Sequence, residues 1–232
     1  MSPESLIYIA TLIAMVLAIW AQIKVSTTFN KYSKTPTATN RTADEVARMI
    51  LDRNGLSDVR IERVRGNLSD HFDPRSNTLR LSDSVYGNRS AAAIGVAAHE
   101  AGHAIQHKVG YAPVVLRSKM VPITAFASRF TWIVIILGVL FMGIVAELGY
   151  YTMLLGIGLF AVTTLFQLVT LPCEFDASKR ALVEMDRTGL YSSSELAVSK
   201  KVLSAAAMTY VASMLVSALQ LLRLVLSVSR RR

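Results

Sequence analysis

Cysteine and histidine are scarce in this chain. Its 232 residues include a single cysteine, Cys173, which excludes an intrachain disulfide framework. There are four histidines, so the placement of each carries information. Charge is thin as well: 18% of residues are Asp, Glu, Lys or Arg against 52% hydrophobic, and the mean hydropathy is +0.41. That balance excludes an ordinary soluble domain and points to membrane spans. The length suffices for one modest folded domain with a few spans, not for two large domains. The formal net charge of +9 comes from Lys and Arg in the loops outside the apolar runs. No basic stripe interleaved with aromatics is present, which argues against nucleic acid as a partner. Loop cations on a membrane protein set its orientation in the bilayer instead.

Leu6 to Ile23 carries no charge and is just long enough to span hydrocarbon. A cleaved signal peptide would begin with a positive region and end on small residues. This run follows Glu4 and ends Trp20-Ala21-Gln22-Ile23-Lys24, so it is read as a retained anchor. Lys24, Lys31 and Lys34 follow it and no Lys or Arg precedes it, which places the N-terminus outside and the next region in the cytoplasm. Phe130 to Ala146 and Tyr151 to Leu171 are apolar, separated by Glu147-Leu148-Gly149-Tyr150. They read as two spans in a hairpin, the second ended by Pro172. The turn has no Lys or Arg, as an external loop should, and Lys179 and Arg180 return to the cytoplasm. Val202 to Leu222 is uncharged but holds Ser204, Thr209, Ser213, Ser217 and Gln220. A fourth span here would carry Arg223 and Arg230-Arg231-Arg232 outside, so the segment is read as an interfacial or protein-packed helix.

Between the first two apolar runs the pattern changes. Asn30 to Arg41 is polar, contains Pro36 and reads as a linker. Thr42 is expected to cap a helix, with Glu45 as its capping-box partner and Asn54-Gly55 as its stop. Val59 to Val64 alternates like a strand, Asn67 to Ser76 is rich in turn residues, and Asn77 to Ser82 is a second short strand. Ser90 caps a helix over Ala91 to Lys108, where Gly95 and Gly102 permit another element to pack closely.

That last helix carries His99-Glu100-Ala101-Gly102-His103. Residues four apart on a helix share a face, so both imidazoles leave the same side. Two neutral imidazoles suit zinc. Glu100 is about 100° round the helix from His99. It flanks the metal, where a base is needed to take a proton from an activated water. The expected cofactor is Zn2+, with His99 and His103 as ligands and Glu100 as the catalytic base.

A catalytic zinc takes three protein ligands and keeps a position open. His107 lies about 12 Å of helix rise from His99, too far for one ion to reach all three, so it is read as a surface or packing histidine. Glu174 in Pro172-Cys173-Glu174-Phe175-Asp176-Ala177-Ser178 is the better candidate for the third ligand. A carboxylate at a helix N-terminus is also favourable without a metal. Asp176 is the runner-up, and Cys173 reads as a small buried thiol.

At these residues the chain resembles the YugP-type membrane zinc metallopeptidases of bacteria. The resemblance runs through the N-terminal span, Thr42-Ala43-Asp44-Glu45-Val46-Ala47, Leu68-Ser69-Asp70-His71-Phe72-Asp73-Pro74 and Thr78-Leu79-Arg80-Leu81-Ser82. It continues through Ala97 to His107 and Leu171 to Ser178. It implies gluzincin-like peptidase activity with His99, His103 and Glu174 on zinc and Glu100 catalytic. The chain is also distantly similar to the HtpX-type membrane proteases, which often carry an aspartate four residues after the third ligand. Here that position is Ser178, so the carboxylate expected behind a zinc histidine has no assigned residue, and Asp176 or Asp186 are the substitutes.

The expected fold is an α+β membrane protein, mostly helical, with transmembrane helices flanking a small cytoplasmic zincin-like domain that holds a short β-sheet. Residues 1–26 form the anchor, 27–122 the cytoplasmic domain, 123–172 the hairpin, and 173–232 the third-ligand helix and a membrane-associated C-terminal helix. The expected activity is zinc-dependent hydrolysis of peptide bonds near the cytoplasmic membrane surface, with a peptide or membrane protein as substrate and the lipid bilayer as surroundings. The strand Asn77 to Ser82 is expected to offer an edge to an extended peptide. His71 or Tyr86 is a candidate for stabilising the oxyanion. A non-catalytic zinc scaffold is the alternative; it leaves Glu100 without a purpose. A metal transporter ranks last, because its spans would hold ionisable residues.

Overall fold

In a computed structural model of the chain, residues 3–229 are described; the Arg230-Arg231-Arg232 run lies outside them. The elements run α1 (Pro3–Tyr32), α2 (Ala43–Arg53), β1 (Arg60–Val64), β2 (His71–Asp73), β3 (Thr78–Ser82), α3 (Ala91–Lys108), α4 (Ala112–Met142), α5 (Ala146–Arg187) and α6 (Ser193–Ser229). Contacts divide the chain into two units. One comprises Met1–Trp20, Leu116–Leu171 and Tyr210–Arg232; the other comprises Ala21–Val115 and Pro172–Thr209.

The second unit begins from two capped helices. Thr42 Oγ1 accepts from the Glu45 N–H, and Glu45 Oε2 accepts from the Thr42 N–H at 2.9 Å, the reciprocal capping box expected of these residues. Ser90 Oγ accepts from the Ala93 N–H at 3.2 Å and starts α3. Val46, Ala47, Ile50 and Leu51 of α2 and Ala93, Ile94, Ala97, Ala98 and Ala101 of α3 are fully buried in one core. Alanines on α3 bring these helices close, and its Gly95 and Gly102 bring others closer. A Cβ on Gly95 would sit 2.9 Å from Ser199 Cβ, and one on Gly102 would sit 2.7 Å from the Ala177 carbonyl oxygen.

The sheet has the order β1-β3-β2, with β1 parallel and β2 antiparallel to β3. This corrects two expectations. The turn-rich stretch Asn67 to Ser76 contains a three-residue strand, His71–Asp73. Its shortness hides any alternation, and its pairing with β3 creates it. The strand at Asn77 to Ser82 is central rather than an edge: β1 and β2 occupy its two sides, so its backbone is not open to a peptide. The edges belong to β1 and β2.

Several helices outrun their apolar segments. α1 continues through Lys24 to Tyr32, into the segment read as a linker. α4 begins at Ala112, well before Phe130, and contains Pro122. α5 does not stop at Pro172 but runs through it to Arg187. An interior proline removes one helical N–H and crowds the preceding turn. The helix persists because Cys173, Ala177, Ala181 and Met185, one turn apart, are all fully buried. The packing of that stripe outweighs a local break.

In the first unit, glycines let α4 and α5 touch. A Cβ on Gly138 would meet Met153 N at 2.8 Å, and one on Gly149 would meet Met142 N at 2.3 Å. Ile135, Met153, Ile157, Leu224 and Val228 form a small cluster there. Large apolar side chains such as Val16, Ile19, Phe126 and Leu155 stand exposed. By length and composition α1, α4, α5 and α6 are each able to cross a membrane. α6 therefore equals the other three, although its sequence was read as interfacial or protein-packed.

Candidate metal centre

Helix α3 sets two donors and α5 the third. His99 and His103 lie one turn apart, with ring centroids 4.7 Å apart and planes at 86°. The Glu174 carboxylate, 3% exposed, faces both: its Oε2 is 3.3 Å from His99 Nε2 and 3.5 Å from His103 Nε2. A tetrahedral zinc with ligand bonds of 2.0–2.1 Å separates its donors by roughly 3.4 Å. The two nitrogen-to-oxygen distances fit such an ion, all three donors lie within 4.8 Å of one another, and their chemistry, two imidazole nitrogens and one carboxylate oxygen, suits zinc. Neither Asp176 nor Cys173 joins the cluster. Cys173 is fully buried in α5.

The approach of α3 to α5 rests on Gly102. A side chain there would collide with the backbone at Ala177, three residues after Glu174. The glycine in the middle of the histidine motif is thus what lets α5 bring Glu174 up to the two imidazoles.

Behind each imidazole stands a polar partner. His99 Nδ1 is 3.1 Å from Ser178 Oγ. His103 Nδ1 is 2.9 Å from Gln106 Oε1. The Gln106 amide nitrogen donates to the Cys173 carbonyl at 2.8 Å and to Asp176 Oδ2 at 2.8 Å. A carbonyl only accepts, so this fixes the orientation of the amide. Its oxygen must then face His103, and Nδ1 of His103 must donate. The remaining nitrogen, Nε2, presents its lone pair toward Glu174, as a metal ligand needs. Asp176 in turn accepts from Arg180 Nε at 2.5 Å.

The sequence leaves the carboxylate behind the two histidines open between Asp176 and Asp186. Asp176 serves indirectly, through Gln106. Ser178, noted for lacking a carboxylate, is itself the partner of His99. Gln106 was missed. The signal for it was a polar side chain three residues after His103 on a helix otherwise rich in small apolar residues; it proves fully buried.

Burial pulls the His103 imidazole down, but the carboxylates of Glu174 and Glu100 reverse this and leave it above the ordinary histidine value. The surroundings favour a cation at that nitrogen, whether proton or metal.

Glu100 is buried, and its Oε2 accepts the Phe72 N–H of β2 at 3.1 Å. A second carboxylate, Asp70, accepts from the Ser82 N–H at 2.7 Å and from Ser82 Oγ at 2.9 Å. Burial pushes Asp70 above the usual carboxylate range against those hydrogen bonds, and the charge of Glu100 adds to the rise. His107 packs its ring on Phe72 at 5.6 Å, a packing histidine as expected. His71 is exposed, with Nδ1 2.9 Å from the Ser69 carbonyl. Tyr86 lies in the turn after β3 and is exposed.

Comparison with known proteins agrees with this chemistry. Residues 7–229 match the family described as "putative neutral zinc metallopeptidase". The chain is 48% identical over 216 residues to "putative membrane protease YugP" of Bacillus subtilis (strain 168), covering 93% of each. No solved structure matches it. A family match over nearly the whole chain and a relative of such identity place it plainly: the chain belongs to the family described as "putative neutral zinc metallopeptidase".

Proposed function

We propose that the protein is a zinc-dependent membrane endopeptidase, with His99, His103 and Glu174 holding the metal and Glu100 as general base. The observation that carries this is the convergence of Nε2 of both histidines on Glu174 Oε2, with Glu100 beside them on the same helix. When bound there, zinc supplies Lewis-acid chemistry, activating water and polarising the scissile carbonyl.

The rest is the work of side chains. Glu100 is anchored at one oxygen by the Phe72 N–H, which fixes the carboxylate and leaves Oε1 to take a proton from water and pass it to the leaving amine. Ser178 and Gln106 hold the imidazoles in orientation. Of the two outer strands of the sheet, β2 is the one that lies against Glu100, so we place the extended substrate beside β2, with the Phe72 N–H kept by Glu100. Backbone pairing of that kind selects for extended chain rather than for particular side chains.

The four long apolar helices support a place in the cell membrane. The excess of Lys and Arg after α1 and in the second half of α5 favours the cytoplasmic side for the site. Substrates are then loops or unfolded segments of peptides and membrane proteins near that surface.

The test is zinc content and casein-type proteolysis of the detergent-purified wild type beside Glu100→Gln. Both should bind one zinc and only the wild type should cleave. Zinc binding by both with no cleavage of a broad peptide set by either would sink the peptidase reading.

A further inference from the structure

A cavity of about 350 Å³, with charged residues along one wall, opens beside the residues that support His103. One wall is a single stripe of α5, Asp176, Lys179, Arg180, Val183, Glu184 and Arg187, spaced three and four residues apart so that all share a face. Ile105 and Val109 at the end of α3 give it an apolar side.

The charges in this cavity do not cancel. Asp176 is taken by Arg180 Nε, and Glu184 by Arg187 at 2.8 Å and by the Asn54 amide at 3.1 Å. Both acids are thereby satisfied. Lys179 has no acceptor among the described residues, and Arg180 uses only Nε, leaving both terminal nitrogens open. The Arg180 guanidinium is held against the Tyr111 ring at 5.8 Å, so its free edge is pre-oriented rather than waving in solvent. Lys108 adds a further cation next to Asn54, bound to the Asn54 and Gly55 carbonyls and to no acid.

An oriented guanidinium fork beside an unpaired ammonium matches a phosphate group, whose several oxygens accept from both. Lys179 and Arg180 also follow closely on the apolar run that ends at Leu171, where a bilayer presents phosphates. We propose that this cavity binds a phosphate group, either the headgroup of an anionic phospholipid or free phosphate, through Lys179 and Arg180. Its wall includes Asp176, which holds the Gln106 amide, so the ligand rests on the chain of contacts that orients His103.

The experiment uses the full chain in detergent, zinc-loaded, titrated with inorganic phosphate by calorimetry and with phosphatidylglycerol or phosphatidylcholine by native mass spectrometry. Wild type should bind inorganic phosphate, and Lys179→Gln with Arg180→Gln should weaken it by about tenfold or more, the loss expected for a hydrogen bond to a charged group. Lys179→Gln alone keeps the Asp176–Arg180 pair and should fall between the two, which separates lost binding from lost folding. A preference for phosphatidylglycerol that the double variant loses, and that inorganic phosphate competes away, identifies the headgroup. Binding of inorganic phosphate without that preference identifies free phosphate. Phosphate that instead sits on the zinc would bind the double variant as well as wild type, and that result overturns the proposal. No proteolysis enters the test, so it stands or falls apart from the peptidase reading.

Discussion

Gln106 Oε1 accepts from His103 Nδ1 at 2.9 Å, and the same amide is locked from behind by the Cys173 carbonyl. One side chain therefore decides which nitrogen of His103 turns its lone pair toward Glu174, the nitrogen that binds metal on the proposed function. Gln106→Met removes the acceptor while keeping similar volume in a fully buried position. Zinc affinity, measured by competition with a chromogenic chelator, should fall about 10–100-fold, as it does when the partner of a ligating histidine is lost. An unchanged affinity would mean the amide has no hold on the metal.

Ser178 offers the parallel experiment on His99. A neutral hydroxyl is a weaker partner than a carboxylate. Ser178→Ala should cost about 1 kcal/mol of metal binding, roughly fivefold. Ser178→Asp should restore or exceed the wild-type affinity. If alanine binds zinc as tightly as serine, the contact at 3.1 Å is incidental.

Gly102 is where α3 meets α5. Gly102→Ala adds one methyl that would lie 2.7 Å from the Ala177 carbonyl oxygen and 3.3 Å from Ala177 Cα, both backbone atoms that cannot swing away. Overpacking of that kind costs about 1–3 kcal/mol. The helices must part, taking Glu174 from the histidines, so the variant should melt earlier in detergent and retain less zinc. Gly110→Ala is no control, because that position has a positive φ. Gly158→Ala is, because nothing lies within 4 Å of an added Cβ there.

Asp73 tests the sheet. The Ser76 hydroxyl, the Arg80 guanidinium and the Arg75 N–H hold its carboxyl down at about 2. A depressed carboxylate stabilises the fold when charged. Its contribution is complete above the unfolded value near 4 and is lost as pH falls through about 2. Carboxylate carbon NMR should show this low titration, and Arg80→Gln should move it up toward the ordinary range. A midpoint already near the ordinary value in wild type would remove Asp73 from the set of residues that pin β2 to β3.

Much of this was legible from local chemistry. Thr42 with Glu45, and Ser90 before a run of alanines, specify helix starts through bonds made within four residues, and both starts stand where the sequence put them. The histidine motif on α3 is equally local. The strand order was not legible, since β2 is three residues long and owes its existence to β3. Nor was the passage of α5 through Pro172, because the burial of Cys173, Ala177, Ala181 and Met185 is a tertiary effect that no local rule about proline includes. Gln106 fell in the same gap: its role depends on Cys173 and Asp176, far along the chain.

The split of the metal donors between α3 and α5 also sets a timetable. The two histidines leave the ribosome first, and the whole of α4 and the whole apolar run of α5 must be made before Glu174 follows. Until α5 docks on Gly102, the nascent chain holds two donors and lacks its third. On the proposed function, a half-made molecule cannot cut its neighbours, or itself, while it is being inserted. The docking of α5 is then the activating event.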